Sequence, residues 1–299
     1  MTKNQEKTQE ALARIDTALE NITSDKDWLA FLAFQGNFYN YSFGNTLLIF
    51  DQRPDATFVK GYRAWNDLGR YVKRGSKGIT ILAPLIKTVE AFAEPADKAV
   101  YQQAEGKKTK KKKLVGFRTV TVFDISDTDG DDSRIPVLVR GLSGNSKQEQ
   151  ELYEKLKSVI STEHPVQEVK GIGAKGLYNR ESGIISVRAD MEALQKIKTV
   201  LHEFGHAVDF RLHPDEDIQR NQRELIAEST AFVVASHLGL DTSSYSMSYL
   251  QSWLKNKNEL KTVAGAIQEV AAEIIEKLAG ADPAFSILNV YNKEEVENG

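Results

Sequence analysis

The sequence predicts an α+β protein in two domains. Residues 1–140 read as a small α+β domain, and residues 141–299 as a mostly helical domain with a short sheet. Three observations carry that expectation. A chain of 299 residues is long enough for about two cores. Residues 57–126 are rich in turn glycines and in aromatic and β-branched residues, whereas from Asp190 onward apolar residues recur at helical spacing. Between the two lies the acidic run DTDGDD followed by Pro136, and the boundary is expected between about 130 and 150.

The elements follow in order. Ala11, Ile15, Leu19, Trp28, Leu29, Phe31 and Leu32 mark residues 6–34 as helical. An aromatic patch with Phe38, Tyr39, Tyr41 and Phe43 leads into a short helix ending near Arg53-Pro54. Residues 57–84, with glycines at Gly61, Gly69, Gly75 and Gly78, read as a short helix, then a hairpin turning at Arg74-Gly75-Ser76, with the strand-like ITIL after it. Residues 88–113 read as a polar excursion. It ends in KKTKKKK, whose six lysines in seven positions repel one another and predict a flexible loop between two strands. VGFRTVTVFDIS at 115–126 reads as a strand. In the second half, KQEQELYEKLKSVI predicts a helix, and short strands are expected around Val166–Val169, Gly176–Tyr178 and Ile184–Val187. Helices are then expected over about Asp190–Leu212, Ile218–Leu238, Met247–Lys255 and Glu259–Leu278.

Composition narrows the function classes. The chain is 41% hydrophobic and 27% charged, as in ordinary soluble globular proteins. No apolar run reaches the ~18 residues of a membrane span, so no membrane partner is expected. MTKNQEKTQEALARIDTALENI lacks a signal-peptide apolar core, and a cytoplasmic location is expected. With no cysteine, any metal must be held by His, Asp or Glu. The net charge of −3 does not announce a nucleic-acid partner, so the distribution of charge matters more than its sum.

HEFGHAVDF, residues 202–210, carries the chemistry. Positions i and i+4 share a helix face, so His202 and His206 can reach one Zn²⁺. Glu203 is off that axis yet near the open coordination position, where it can take a proton from water and return it to a leaving amine. A partly buried helix with two ordinary histidines is the plainer alternative. A third ligand is needed. The metzincin spacing fails, because Asp209 stands at its glycine position and Leu212 at its third histidine. RELIAESTAF offers Glu224 and Glu228 on one face of the next helix. Glu228 is preferred as more central to the face of Ala227, Ala231 and Ala235, with Glu224 as the alternative. One could bind zinc while the other holds a ligand histidine from behind. His164, His213 and His237 are expected to have no metal role, and Gly205 inside the helix invites a packing reason.

Between residues 58 and 88, Lys60, Arg63, Arg70, Lys73, Arg74, Lys77 and Lys87 face one acid, Asp67, with Tyr62, Trp65 and Tyr71 interleaved. A basic track with aromatic platforms suits sequence-tolerant binding of single-stranded DNA. The expected contacts are Arg63, Trp65, Arg70, Tyr71, Lys73, Arg74 and Lys77. A solvated basic face with Trp65 and Tyr71 in the core would give the same pattern. The 107–113 lysines serve equally as a DNA anchor or as a solubilising loop.

With TVLHEFGHAVDF, RELIAESTAFVVASHLGLDTSSYSMSYLQSW, FGNTLLIFDQRPDATFVKGYRAWNDLGRYVKRGSKGITILAP and GFRTVTVFDISDTDG together, nearly the whole chain resembles the ArdC-type antirestriction proteins of mobile elements. That resemblance implies an N-terminal single-stranded-DNA-binding domain, a C-terminal zincin-like metallopeptidase domain, and protection of incoming DNA during conjugation. The C-terminal half also resembles ImmA/IrrE-like metallopeptidases. Those carry an acid where this chain has Ile226, so Glu224 and Glu228 both stay open as third ligand. The expected function is a DNA-bound zinc metallopeptidase acting on a protein or peptide. The alternatives are a DNA-coating protein with an inert zinc domain and an ImmA-like protease that cleaves a repressor. Residues 1 to about 140 are expected to bind DNA without the second half.

Overall fold

The computed structural model describes residues 3–92, 108–133, 135, 146–214, 218–240, 242, 257–282 and 285. The expected helix at 247–255 lies outside them, as does Pro136. The first half opens with α1 (Lys3–Asn21), α2 (Asp25–Asn37) and α3 (Phe43–Gln52). The periodic stretch 6–34 is thus two helices. The break is a capping box: the Ser24 hydroxyl accepts from the Asp27 backbone N–H, and the Asp27 carboxylate accepts from the Ser24 backbone N–H at 3.0 Å.

Short elements follow: β1 (Val59–Gly61), α4 (Tyr62–Asp67) and β2 (Arg70–Val72). Then come the long β3 (Ile79–Phe92) and β4 (Lys108–Asp124), a 3-10 turn, and β5 (Thr128–Gly130). One sheet has the order β1-β4-β3 and the other pairs β2 with β5, all antiparallel. Two expectations are corrected here. A turn does form at Arg74-Gly75, with Gly75 at φ +88 and the Ser76 N–H bonded to Lys73 O, but it joins strands of different sheets rather than a hairpin. β4 offers β3 a far longer partner than the three residues of β2 could. Secondly, Lys108 and Lys110–Lys113 lie in β4, paired across β3, and not in a loop. The backbone pairing with β3 holds the run extended despite its charge.

The outer edge of β3 is finished by two side-chain amides of α3. Asn45 exchanges two 2.8 Å bonds with the Leu82 backbone, and Gln52 bonds both Thr80 N and Thr80 O. These amides satisfy ladder groups that an exposed edge would leave open.

The second half contains α5 (Ser146–Ile160), β6 (Val166–Val169), β7 (Gly176–Tyr178), β8 (Ile185–Arg188), α6 (Ala193–Leu212), α7 (Arg220–His237) and α8 (Lys257–Ala281). Its sheet has the order β6-β8-β7, with β6 parallel and β7 antiparallel to β8. β7 is therefore an edge strand.

One buried cluster runs through both halves. Trp28, Phe31, Leu32, Leu47 and Trp65 belong to it, as do Phe204, Leu225, Val233, Ile267 and Ile274. At the seam α2 meets α7 so closely that a Cβ on Gly36 would lie 2.9 Å from Val233 O and 3.1 Å from His237 N. His237 donates its Nδ1–H to Gly36 O at 2.8 Å, and burial lowers its pKa, which keeps the ring neutral for that role. Gln268 Nε2 donates to Tyr39 O at 2.6 Å. A smaller cluster, with Phe34, Phe38, Ile49, Val59, Ile79 and Val122, joins α2 and α3 to the first sheet. Among the described residues no helix is long and apolar enough to cross a membrane.

Candidate metal centre

α6 buries Ile197, Val200, Leu201, Phe204 and Val208 against the core, which turns His202 and His206 toward a cleft. α7 packs antiparallel on it: Gly205 lies against Ala227, while Asp209 pairs with Arg223. A Cβ at Gly205 would sit 3.4 Å from Ala227 Cα, ordinary contact distance, so small residues on both helices set their close approach.

That register decides which glutamate meets which nitrogen. Glu224 Oε2 lies 3.5 Å from His202 Nε2 and 3.6 Å from His206 Nε2. Ligand atoms of His202, His206 and Glu224 all fall within 4.8 Å of one another. Glu228, one turn further, lies behind the pair, with Oε2 3.2 Å from His202 Nδ1 and Oε1 2.5 Å from Lys198 Nζ. The centrality to the alanine face that favoured Glu228 in the sequence is what buries it. Its side chain is 7% exposed, against 30% for Glu224 at the cleft.

The charges are interlocked. Burial alone would lower the His202 pKa, but hydrogen bonds to Glu224 and Glu228 outweigh it and push the ring up to about 9. His202 and His206 hold the Glu224 carboxyl well below the usual range. Burial raises the Glu228 carboxyl, yet His202 and Lys198 outweigh it and its pKa is lowered. Glu203 moves the other way. Burial pushes it up, partly offset by both histidines and by the Tyr178 backbone N–H.

β7 forms the wall beside Glu203. A Cβ on Gly176 would lie 2.7 Å from Glu203 Oε1 and 2.5 Å from Thr199 Cγ2, so any other residue there would displace those side chains. In the sequence Gly176 reads merely as the start of a strand. The cleft measures about 770 Å³, within the range of small-ligand and peptide pockets, and Phe210, Arg223 and Ile218 complete it. Arg223 also went unremarked in the sequence. Its Nη1 donates to Asp209 Oδ2 at 2.6 Å and its Nη2 to His213 O at 3.0 Å, which ties the end of α6 to α7 one residue from Glu224. The other histidines serve elsewhere: His164 bonds Gly183 O, His213 bonds Asp209, and His237 holds Gly36.

The expected DNA contacts divide into two groups. Arg63, Tyr71, Lys73, Arg74 and Lys77 are exposed. Trp65 and Arg70 are not, and their expected role is corrected. Trp65 is 0% exposed, donates Nε1–H to Phe123 O at 2.9 Å and packs edge-on against Phe58. Arg70 is buried, fastening β2 to β5 through Thr128 and an ion pair with Asp132. The sequence cannot separate Trp65 from Tyr71, because the tertiary fold decides which aromatic turns inward. Tyr62, at 56% exposure, joins Tyr71 as a free aromatic face.

The fold and the site define a chain with a candidate His-His-Glu metal triad beside an edge strand. Residues 5–123 match the family model described as the N-terminal domain of anti-restriction factor ArdC. Over 99% of its length it is 26% identical to the uncharacterized protein pXO2-81 of Bacillus anthracis, of which the alignment covers 56%. The chain thus spans about half the length of that curated relative. Among solved structures, the metal-free antirestriction protein ArdC from plasmid R388 aligns at TM-score 0.48 and 20% identity, covering 80% of this chain and 86% of that one. The Mn(II)-bound structure of the same protein aligns at 0.45 and 19%, covering 81% and 90%.

Proposed function

We propose that this chain is an antirestriction protein of the ArdC type that binds single-stranded DNA and hydrolyses peptide bonds with zinc held by His202, His206 and Glu224. The observation that carries the catalytic part is the convergence of those three donors within 4.8 Å, with Glu203 alongside on the cleft. Two imidazoles and a carboxylate are a donor set that suits zinc and leaves a position for water. Zinc bound there supplies Lewis-acid polarisation of a carbonyl and activation of that water.

Glu203 is the general base and then the general acid. Its raised pKa brings its proton affinity closer to neutrality, as proton transfer both ways requires. Glu228, with Oε2 3.2 Å from His202 Nδ1, positions that ring from behind, and Lys198 keeps Glu228 ionised. β7, an edge strand among the described residues, lines the cleft, so an extended peptide can lie along it beside Glu203, which already holds the Tyr178 N–H.

Glu203→Gln tests the assignment. The variant is expected to keep zinc and its melting temperature while cleavage of a peptide library, read by mass spectrometry, falls about 10²–10⁴-fold. Cleavage at the wild-type rate would sink it. Equal zinc with no cleavage by either protein would favour a DNA-coating protein with an inert metal.

Metal uptake should also depend on pH. With its pKa near 9, His202 is protonated at neutrality, and zinc must displace that proton. Apparent zinc affinity is expected to rise about tenfold per pH unit up to about 9. Competition titrations with a chromogenic chelator check this, and affinity flat between neutrality and pH 9 contradicts it.

For DNA, the support is the ArdC-type N-terminal domain together with exposed Tyr62 and Tyr71 among Arg63, Lys73, Arg74 and Lys77. Binding should be measured on the full chain, because the core is shared between the halves.

A further inference from the structure

β3 and β4 make a ribbon that outruns its support. β1 pairs only with Val122–Asp124, and the α3 amides reach no further than Leu82. Among the described residues, 83–92 and 108–118 continue with no third strand, about 30 Å at the usual rise per residue. From Leu85 outward every side chain described in either strand is exposed or half-buried. A free two-stranded ribbon is marginally stable in water at best.

This one carries surface that water does not favour. Leu85, Ile86, Leu114, Val115 and Phe117 are five of the nine large apolar residues exposed among the described ones. The register places Phe117 opposite Pro84 and Leu114 opposite Ile86, so these share one face, and Lys112 opposite Thr88 continues it toward the tip. On the other face Lys87 stands directly opposite Lys113, both exposed. Like charges in that position destabilise a bare ribbon.

We propose that this ribbon is the arm by which the chain grips single-stranded DNA: Phe117, Leu114 and Ile86 take the base faces, and Lys87, Lys113 and Lys112 take the phosphates. The inference rests on the single-strand reading above and locates the contact away from Tyr62 and Tyr71. Unpaired bases offer apolar faces beside a phosphate chain, which matches an apolar face that ends in Lys112, with Lys87 and Lys113 on the reverse face where phosphates pass the ribbon's edge. An anionic membrane would meet the same cations, and the vesicle arm of the test separates it from DNA.

The test uses the full chain, a short labelled oligothymidylate read by fluorescence anisotropy, and phosphatidylserine-containing vesicles. The double variant Leu114→Ser, Phe117→Ser should weaken oligonucleotide binding about tenfold or more at every salt concentration. Lys87→Gln with Lys113→Gln should lower the slope of log affinity against log salt by about 1.4, two phosphates at about 0.7 each. Because these side chains are exposed, the melts of both variants should match the wild type. If both variants bind like the wild type while Tyr62→Ala with Tyr71→Ala abolishes binding, the ribbon assignment is overturned and the single-strand reading stands. If the wild type binds no oligonucleotide at low salt, the reading itself fails and takes the ribbon with it. Wild-type binding to vesicles but not to DNA also overturns the proposal.

Discussion

Glu224→Ala is expected to leave the purified chain without stoichiometric zinc, whereas Glu228→Gln keeps the metal and binds it more weakly. Glu224 is the carboxylate that faces both histidine Nε2 atoms, so its loss removes a donor outright. Glu228 touches only the far nitrogen of His202, and loss of such an orienting partner costs about 10–100-fold in metal affinity. The measurement is metal content after dialysis against a graded chelator. His202→Ala and His206→Ala should behave like Glu224→Ala. The reverse ranking of the two glutamates, or equal losses, would show that Glu228 is the ligand.

Trp65→Ala is expected to unfold the protein at a much lower temperature rather than merely weaken DNA binding. Removing a fully buried indole costs about 3–5 kcal/mol, and it leaves Phe123 O without its donor. For a chain of this size that corresponds to a drop of roughly 6–20 °C in melting temperature. Tyr71→Ala, at a 58% exposed ring, should leave the melt unchanged. A Trp65→Ala protein that melts like the wild type and loses only DNA affinity would return the indole to the binding surface.

What could be read from the sequence was what depends on local periodicity. The helix carrying His202 and His206, the helix with Glu224 and Glu228, and the strands at Val166 and Gly176 all follow from spacing of 3.6 or 2 residues. The rest depends on how elements meet. The choice between Glu224 and Glu228 turns on the register of α7 against α6, which no single helix encodes. β2 pairs with β5 rather than with its neighbour in sequence, because pairing is settled by partners more than fifty residues away. The lysine run reads as a loop by charge and becomes a strand because β3 lies alongside it. Gly176 matters only because Glu203 arrives beside it from another element.

The seam between α2 and α7 sets a timetable for making this protein. Gly36 and His237 are 201 residues apart in the chain, and Tyr39 and Gln268 are 229 apart. At synthesis rates of about 5–20 residues per second, α2 leaves the ribosome roughly 10–40 s before α7 follows. Through that interval the parts of Trp28, Phe31 and Leu32 destined for the common core have no second half to lie against. Closure of the seam cannot precede the synthesis of α7, so it is paced by the ribosome rather than by the intrinsic speed of helix formation.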